Sequence, residues 1–322
     1  MLAFLKLVRL PNLLIIAFTQ YMIRLCLVEP SLHLYSMYIQ MSDLEFFLLV
    51  LATVFIAAGG YVINDYFDMR IDNINKPDQL IIDNGVKRRV AMGAHAVLSI
   101  LGVALGILIS WRCNILMSGG VLFAVSVIGL WYYSTSLKKK FLWGNIIISL
   151  FTGMVPFMVA LFEMPRVIRE YHITLSQTQY DYGSNISTTI LLWAGAYGVT
   201  AFGLSLIREI IKDMEDVEGD GEYGCKTMPI VLGIKKTKLV TASLIVLFIG
   251  GIGYIQYLQL AARDKYSFLY FLGLVQLPLL FLLFNVITAK EKKHFHFASM
   301  FVKFIMLAGI CYLLLLKFVL IK

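Results

Sequence analysis

Residues 44–72 read LEFFLLVLATVFIAAGGYVINDYFDMRID. Up to Ile63 the stretch holds a single charge, Glu45; it then turns polar at Asn64 and carries carboxylates at Asp65, Asp68 and Asp72. A hydrocarbon core about 30 Å thick takes roughly 20 helical residues at about 1.5 Å rise, so this is a membrane span ending in an acidic cluster. Residues 188–220, TTILLWAGAYGVTAFGLSLIREIIKDMEDVEGD, repeat the arrangement with Asp213, Asp216 and Asp220. Both clusters spell Asp-x-x-Asp-x-x-x-Asp, and each aspartate lies 148 residues from its counterpart. An offset shared by three pairs indicates an internal repeat of a helix bundle, each half contributing one copy.

Working outward, apolar runs of span length lie near 11–28, 44–64, 91–110, 114–133, 144–162, 188–207, 239–260, 268–288 and 297–317. The chain is therefore expected to be all-α: a multi-spanning membrane bundle of nine transmembrane helices with two internal repeats. It forms one integral-membrane domain over residues 1–322, with cytoplasmic cap loops near 65–90 and 208–238. Composition agrees, with 59% hydrophobic and 15% charged residues and a mean hydropathy of +0.80. Soluble proteins carry about 25% charged residues, so a water-soluble fold and a disordered chain are both excluded. The formal charge of +8 comes from basic residues scattered between apolar runs, with no recognition motif for nucleic acid.

Positive charge reports orientation instead. Nineteen Lys and Arg fall in the N-terminal segment and alternate connections, seven on the opposite side, and Arg24 and Lys303 lie inside spans. The N-terminus is expected in the cytoplasm. The first run carries Arg9, Pro11 and Arg24 without a small-residue cleavage site, and no transit peptide is evident, which favours a retained span in a prokaryotic plasma membrane. Cys26, Cys113, Cys225 and Cys311 are widely separated and suggest neither a disulfide framework nor a zinc site. His294 and His296 flank Phe295 without a metal-site pattern, and the outside segment 163–187 holds an aromatic cluster of Tyr171, Tyr180 and Tyr182.

A transporter usually places ionisable groups near the membrane midplane, whereas here the acids sit at span ends, at the cytoplasmic mouth of an apolar bundle. Steps of three and seven residues return to within about 60° on a helix, so each triplet is expected to present one carboxylate face. Two such faces together require cations, and hard divalent ions with oxygen ligands, above all Mg²⁺, suit carboxylates that also hold a phosphate-bearing substrate. Arg70 and Lys76 flank the first triplet; Arg208, Lys212 and Lys226 flank the second, as phosphate partners. A diphosphate clamp opening into an apolar cavity rich in Phe and Tyr matches an isoprenyl diphosphate, whose tail gains about 0.8 kcal/mol for each methylene taken from water. Aromatic faces would shield an allylic cation.

With these features the sequence resembles the intramembrane UbiA-type prenyltransferases. The resemblance rests on NDYFDMRID followed by NKP, on KDMEDVEGD followed by GCKTMP, and on YSTSLKKKFLWGN between them. It implies that Asp65, Asp68, Asp72, Asp213, Asp216 and Asp220 are the catalytic, metal-holding set and, with Asn64, bind Mg²⁺ and diphosphate. Arg70, Lys76 and Lys226 are the implied phosphate partners. Arg9, Pro11 and Asn12 resemble an N-terminal element near the acceptor, although Pro in a first helical turn reads equally as a helix start. Tyr133 and Lys138 resemble an element near the substrate headgroup, and Lys138–Lys140 also fit positive-inside topology. Many relatives carry an Arg after NKP where this chain has Gln79, which leaves open whether Lys87, Arg88 or Arg89 supplies that charge.

The string REIIKDMEDVEGD, residues 208–220, is most similar to the geranylgeranylglycerol-phosphate geranylgeranyltransferase branch. The expected activity is Mg²⁺-dependent transfer of a polyprenyl group, geranylgeranyl by this resemblance, to a lipophilic or amphiphilic acceptor, with geranylgeranylglycerol phosphate as the candidate. Prenylation of an aromatic acceptor in quinone biosynthesis and a non-enzymatic cation transporter or channel are the competing readings. The expected partners are a polyprenyl diphosphate, a lipophilic acceptor and membrane lipids, with no nucleic acid.

Overall fold

A computed structural model describes residues 2–75, 77, 80–174 and 177–321, apart from the side chains of 172–174, 177–185, 320 and 321. Among these residues nine helices are long and apolar enough to cross a membrane: α1 Leu10–His33, α2 Asp43–Asn75, α3 Arg88–Arg112, α4 Leu116–Thr135, α5 Trp143–Tyr171, α6 Ile186–Glu215, α7 Ile234–Ala261, α8 Lys265–Thr288 and α9 Lys292–Val319. No strand occurs among them beyond one bridge between Ile82 and Val86. Helices satisfy every backbone group internally, as a bilayer interior demands.

α1 touches α2, α5 and α9, which draws both halves of the chain around it, and α6 packs against α5, α7 and α9. The closest approach joins α5 and α6. A Cβ on Gly153 would lie 2.7 Å from the Gly198 carbonyl oxygen, and one on Gly198 would lie 2.8 Å from that of Gly153. Only glycine at both positions lets the two backbones meet, as at small-residue interfaces in membranes. Leu204, Ile207 and Ile211 of α6 are buried in one core with Ala298, Val302 and Ile305 of α9, while Leu277, Leu280, Phe281 and Phe284 of α8 remain exposed on the lipid side.

Four spans are tied at the end remote from the acidic motifs. Ser42 caps α2 in a reciprocal capping box: its Oγ accepts from the Glu45 amide at 3.3 Å, and Glu45 Oε2 accepts from the Ser42 amide at 3.0 Å. The same buried carboxylate accepts from Arg166 of α5 at 2.7 Å and Arg112 of α3 at 3.1 Å. Arg24 of α1, buried within its span, donates to Asp43 at 3.0 Å and to the Met41 carbonyl at 2.9 Å, with its guanidinium 4.4 Å above the Phe46 ring. Removing one partner of a buried pair costs about 3–5 kcal/mol, less where the stranded charge reaches water. Arg112 is 56% exposed and Arg166 23%, so Glu45→Ala is expected to destabilise by about 2 kcal/mol, measurable as a lower thermal midpoint in detergent.

Three helices, α2, α5 and α6, run farthest beyond the apolar runs. The segment 163–187, expected as an outside loop, is helical to Thr174 and again from Gln177. Its early polar residues do not end the helix because they are bonded: Arg166 to Glu45, and Glu163 Oε1 to the amides of Gln40 and, at 3.1 Å, Met41. On the opposite side α2 continues to Asn75 and α6 to Glu215, so the first parts of the expected cap loops 65–90 and 208–238 are extra helical turns rising from the bundle. Tyr180, Tyr182, Lys76 and Gln79 lie outside the described residues or their described side chains.

Candidate active site

The first triplet sits wholly on α2, where Asp65, Asp68 and Asp72 are half-buried and share a face as the spacing predicts. Asn64 donates from Nδ2 to Asp68 Oδ2 at 2.8 Å, one helical turn along. Asp65 accepts from Arg9 at 2.7 Å, and Asp68 is ion-paired with Lys138 in the connection between α4 and α5. The second triplet departs from the expected single face. The helix breaks at Asp216, whose φ of −99° and ψ of 10° leave the α region, and Asp220 lies on a separate short helix, Val217–Glu222. Asp213, still on α6, accepts from Asn145 Nδ2 of α5 at 2.8 Å.

Asn75, the last residue of α2, joins the two halves. Its Nδ2 donates to the Asp216 carbonyl at 3.1 Å, its Oδ1 accepts from the Gly219 amide at 2.9 Å, and its own carbonyl accepts from Lys292 at the start of α9 at 2.7 Å. A Cβ on Gly219 would lie 2.6 Å from Asn75 Nδ2, so only glycine admits this contact. The Lys226 amide donates to the Lys139 carbonyl at 2.8 Å and draws the segment after the second motif to the α4–α5 connection. The two acidic segments thus lie side by side at one end of the bundle.

Electrostatics carry the same information. Asp220 is pushed up to about 7, first by burial and then by the charges of Asp216 and, from the other half, Asp68. Tyr133, half-buried at the end of α4, lies within electrostatic reach of Glu209, Asp68, Asp213 and Arg9, between both motifs. Arg9 stands 5.1 Å over the Tyr61 ring, and Asp65 holds its guanidinium well above the ordinary arginine value despite the opposing effect of burial. Arg208 and Lys212, also half-buried, flank Glu209, with which Arg208 is ion-paired. Asn12 is half-buried one turn into the chain after Arg9.

Other expected residues lie apart. Arg70 is exposed, and the Lys226 side chain is exposed although its amide is engaged. Of the three basic residues considered in place of Gln79, Arg88 is ion-paired with Asp83 at 2.8 Å, and all three are exposed. Asn75, Asn145 and Lys292 were not singled out by sequence reasoning. Asn75 and Asn145 stand inside the strings NKP and WGN, but a search for carboxylate spacing does not select amides.

Among the described residues no three His, Cys, Asp or Glu side chains already close on one point. The donor set nevertheless fits a hard divalent cation in kind, being all oxygen, with Asn64 Oδ1 buried and without a hydrogen-bond partner beside Asp68. Lys138 and Arg9 hold positive charge against Asp68 and Asp65, and Asp220 lies where added positive charge would release its proton.

The sequence pattern of the UbiA prenyltransferase family matches residues 34–305. The digeranylgeranylglyceryl phosphate synthase of Sulfurisphaera tokodaii is 34% identical over 196 residues, 60% of each chain, so the alignment spans about three fifths of that relative's length. A solved structure of a digeranylgeranylglyceryl phosphate synthase superposes with a TM-score of 0.62 at 23% identity, covering 98% of this chain and 97% of the other. A UbiA homolog from Archaeoglobus fulgidus bound to DMAPP and Mg²⁺ gives a TM-score of 0.51 at 15% identity, over 95% and 98% of the two chains. These two likenesses establish the fold. The nine apolar helices mark an integral membrane protein, and the match over residues 34–305 shows that the chain belongs to the UbiA prenyltransferase family.

Proposed function

We propose that the protein transfers a geranylgeranyl group from its diphosphate to geranylgeranylglyceryl phosphate, at a Mg²⁺-loaded mouth on the cytoplasmic face of a prokaryotic plasma membrane. The observation that carries the reading is the Asn75 bridge, which ties the end of the first acidic segment to the second. The name of the Sulfurisphaera relative supports the choice of acceptor, the DMAPP and Mg²⁺ bound to the Archaeoglobus homolog support the donor class and the metal, and the excess of Lys and Arg on the motif side supports the orientation.

Asp65, Asp68, Asp72, Asp213, Asp216 and Asp220, with Asn64, would hold the metal. Bound Mg²⁺ would neutralise charge building on the departing diphosphate. Lys138 would contribute a cation to the same oxygens when released from Asp68. Tyr133, between the motifs, would present an aromatic face to positive charge developing on the allylic carbon. Asn145 fixes Asp213 and Asn75 fixes the second segment, so the carboxylates need little reorganisation when substrate arrives. The apolar spans below would keep water from the reacting carbon.

The test is incubation of the protein in lipid nanodiscs with labelled geranylgeranyl diphosphate, geranylgeranylglyceryl phosphate and Mg²⁺, with the product identified by mass. The expected product is the doubly alkylated glyceryl phosphate together with free diphosphate. Absence of Mg²⁺-dependent diphosphate release with this acceptor and with aromatic acceptors would overturn the assignment as a transferase. A product mass containing an aromatic acceptor would instead move the protein to the quinone branch.

A further inference from the structure

Lys303 is an ammonium within the apolar helix α9, eleven residues and so about 16 Å from its first residue. Charges placed inside spans are costly and tend to serve a site. Its half-buried side chain lies within the influence of Arg208, Arg9, Lys212 and Glu209, in that order. The helix contacts explain this convergence, since α9 packs on both α6, which carries Arg208 and Lys212, and α1, which Arg9 precedes. The Arg208 guanidinium pairs with Glu209 through Nη1, while its Nε is buried with no hydrogen-bond partner.

Charge in the mouth is therefore divided. Asp68, Asp213, Asp216 and Asp220 occupy one side with Lys138 and two amides. Lys303 and Arg208 gather on the other about Glu209, while Lys212, which also faces Asp213, Asp216 and Asp220, and Arg9, which also faces Asp65 and Asp72, stand between the two. Around Lys303 itself three cations meet one acid, Glu209, and the buried Arg208 Nε has no partner, a set that a dianionic group would complete. A diphosphate held through metal by the carboxylates leaves this side to a second anion.

We propose that Lys303 and Arg208 form an anion subsite that takes the phosphate monoester of the acceptor while the carboxylates hold the donor, with Arg9 and Lys212 at the boundary between the two. This rests on the transferase reading above and names a specificity-determining residue for it. The subsite distinguishes a phosphorylated glyceryl ether from its neutral alcohol, and it orients the acceptor by its charged end.

Two measurements test the proposal. In steady-state assays Lys303→Met should raise KM for the phosphorylated acceptor at least tenfold, with KM for geranylgeranyl diphosphate within twofold of the parent, and Lys303→Arg should restore most of the acceptor affinity. Independently of turnover, calorimetric titration of the nanodisc protein with glycerol 1-phosphate, without Mg²⁺ or donor, should show binding that Lys303→Met weakens at least fivefold. Raised donor KM with unchanged acceptor KM would assign these cations to the diphosphate and overturn the proposal, as would glycerol 1-phosphate binding indifferent to Lys303. If the parent protein shows no transferase activity but binds glycerol 1-phosphate through Lys303, the reaction assignment fails while the anion subsite stands.

Discussion

Asp68→Ala and Asp216→Ala are each expected to lower Mg²⁺-dependent diphosphate release by about a thousandfold or more, equivalent to roughly 4 kcal/mol in the barrier, as the proposed role of their charges in organising a metal and leaving group requires. The two residues come from opposite halves of the chain, so equal severity is the informative outcome. Asp68→Ala also strands Lys138, whose side chain is 11% exposed. Asp68→Asn, whose amide oxygen can still accept from Lys138 while its NH2 can donate to the unpartnered Asn64 Oδ1, separates that packing cost from loss of the charge. Size-exclusion profiles and thermal midpoints in detergent check that each variant is intact, and single-turnover assays measure the chemistry. Retention of activity within tenfold by both alanine variants would contradict a shared clamp.

The second large effect is expected at a residue that holds no charge. Asn75→Leu keeps the side-chain volume but removes the hydrogen bonds to the Asp216 carbonyl and the Gly219 amide. Each bond contributes only about 1 kcal/mol to stability. The catalytic cost is larger because the second acidic segment, already off its helix at Asp216, loses its registration against the first. A displacement of about 1 Å in such a site lowers rate by about a hundredfold, which is the loss expected in kcat. Gly219→Ala should reproduce it from the other side, since its Cβ would intrude on the same amide. Hydrogen exchange over residues 213–224 should accelerate in both variants, and accelerated exchange with normal turnover would show that the bridge is not needed for catalysis.

Much of the architecture was legible because a bilayer imposes a coarse and strict rule: roughly 20 apolar residues for each crossing. That rule located every span but not the helix ends, since helices outside the hydrocarbon have no reason to stop where hydropathy falls. Asn64 through Asn75 continue α2, and Arg166 stays helical because Glu45, far away in sequence, receives it. The acidic triplets were legible through spacing and repetition, and the facing of the halves was implied by symmetry. What spacing does not encode is the contact that enforces it. Asn75 is an ordinary asparagine until Gly219 is beside it, and Lys303 was recorded only as a charge inside a span because its neighbours come from α6 and the residues before α1. The break at Asp216 was equally hidden, because the local sequence is as rich in acids before it as after.

The glycine contact between α5 and α6 bears on traffic. Where Gly153 and Gly198 bring main chains together there is no width for a hydrocarbon tail, so that seam is closed to sideways passage from the lipid. On the proposed reading, long-chain reactants, and a product bulkier than either, would have to slip in and out along some other flank, one whose facing residues can part without breaking so tight a fit.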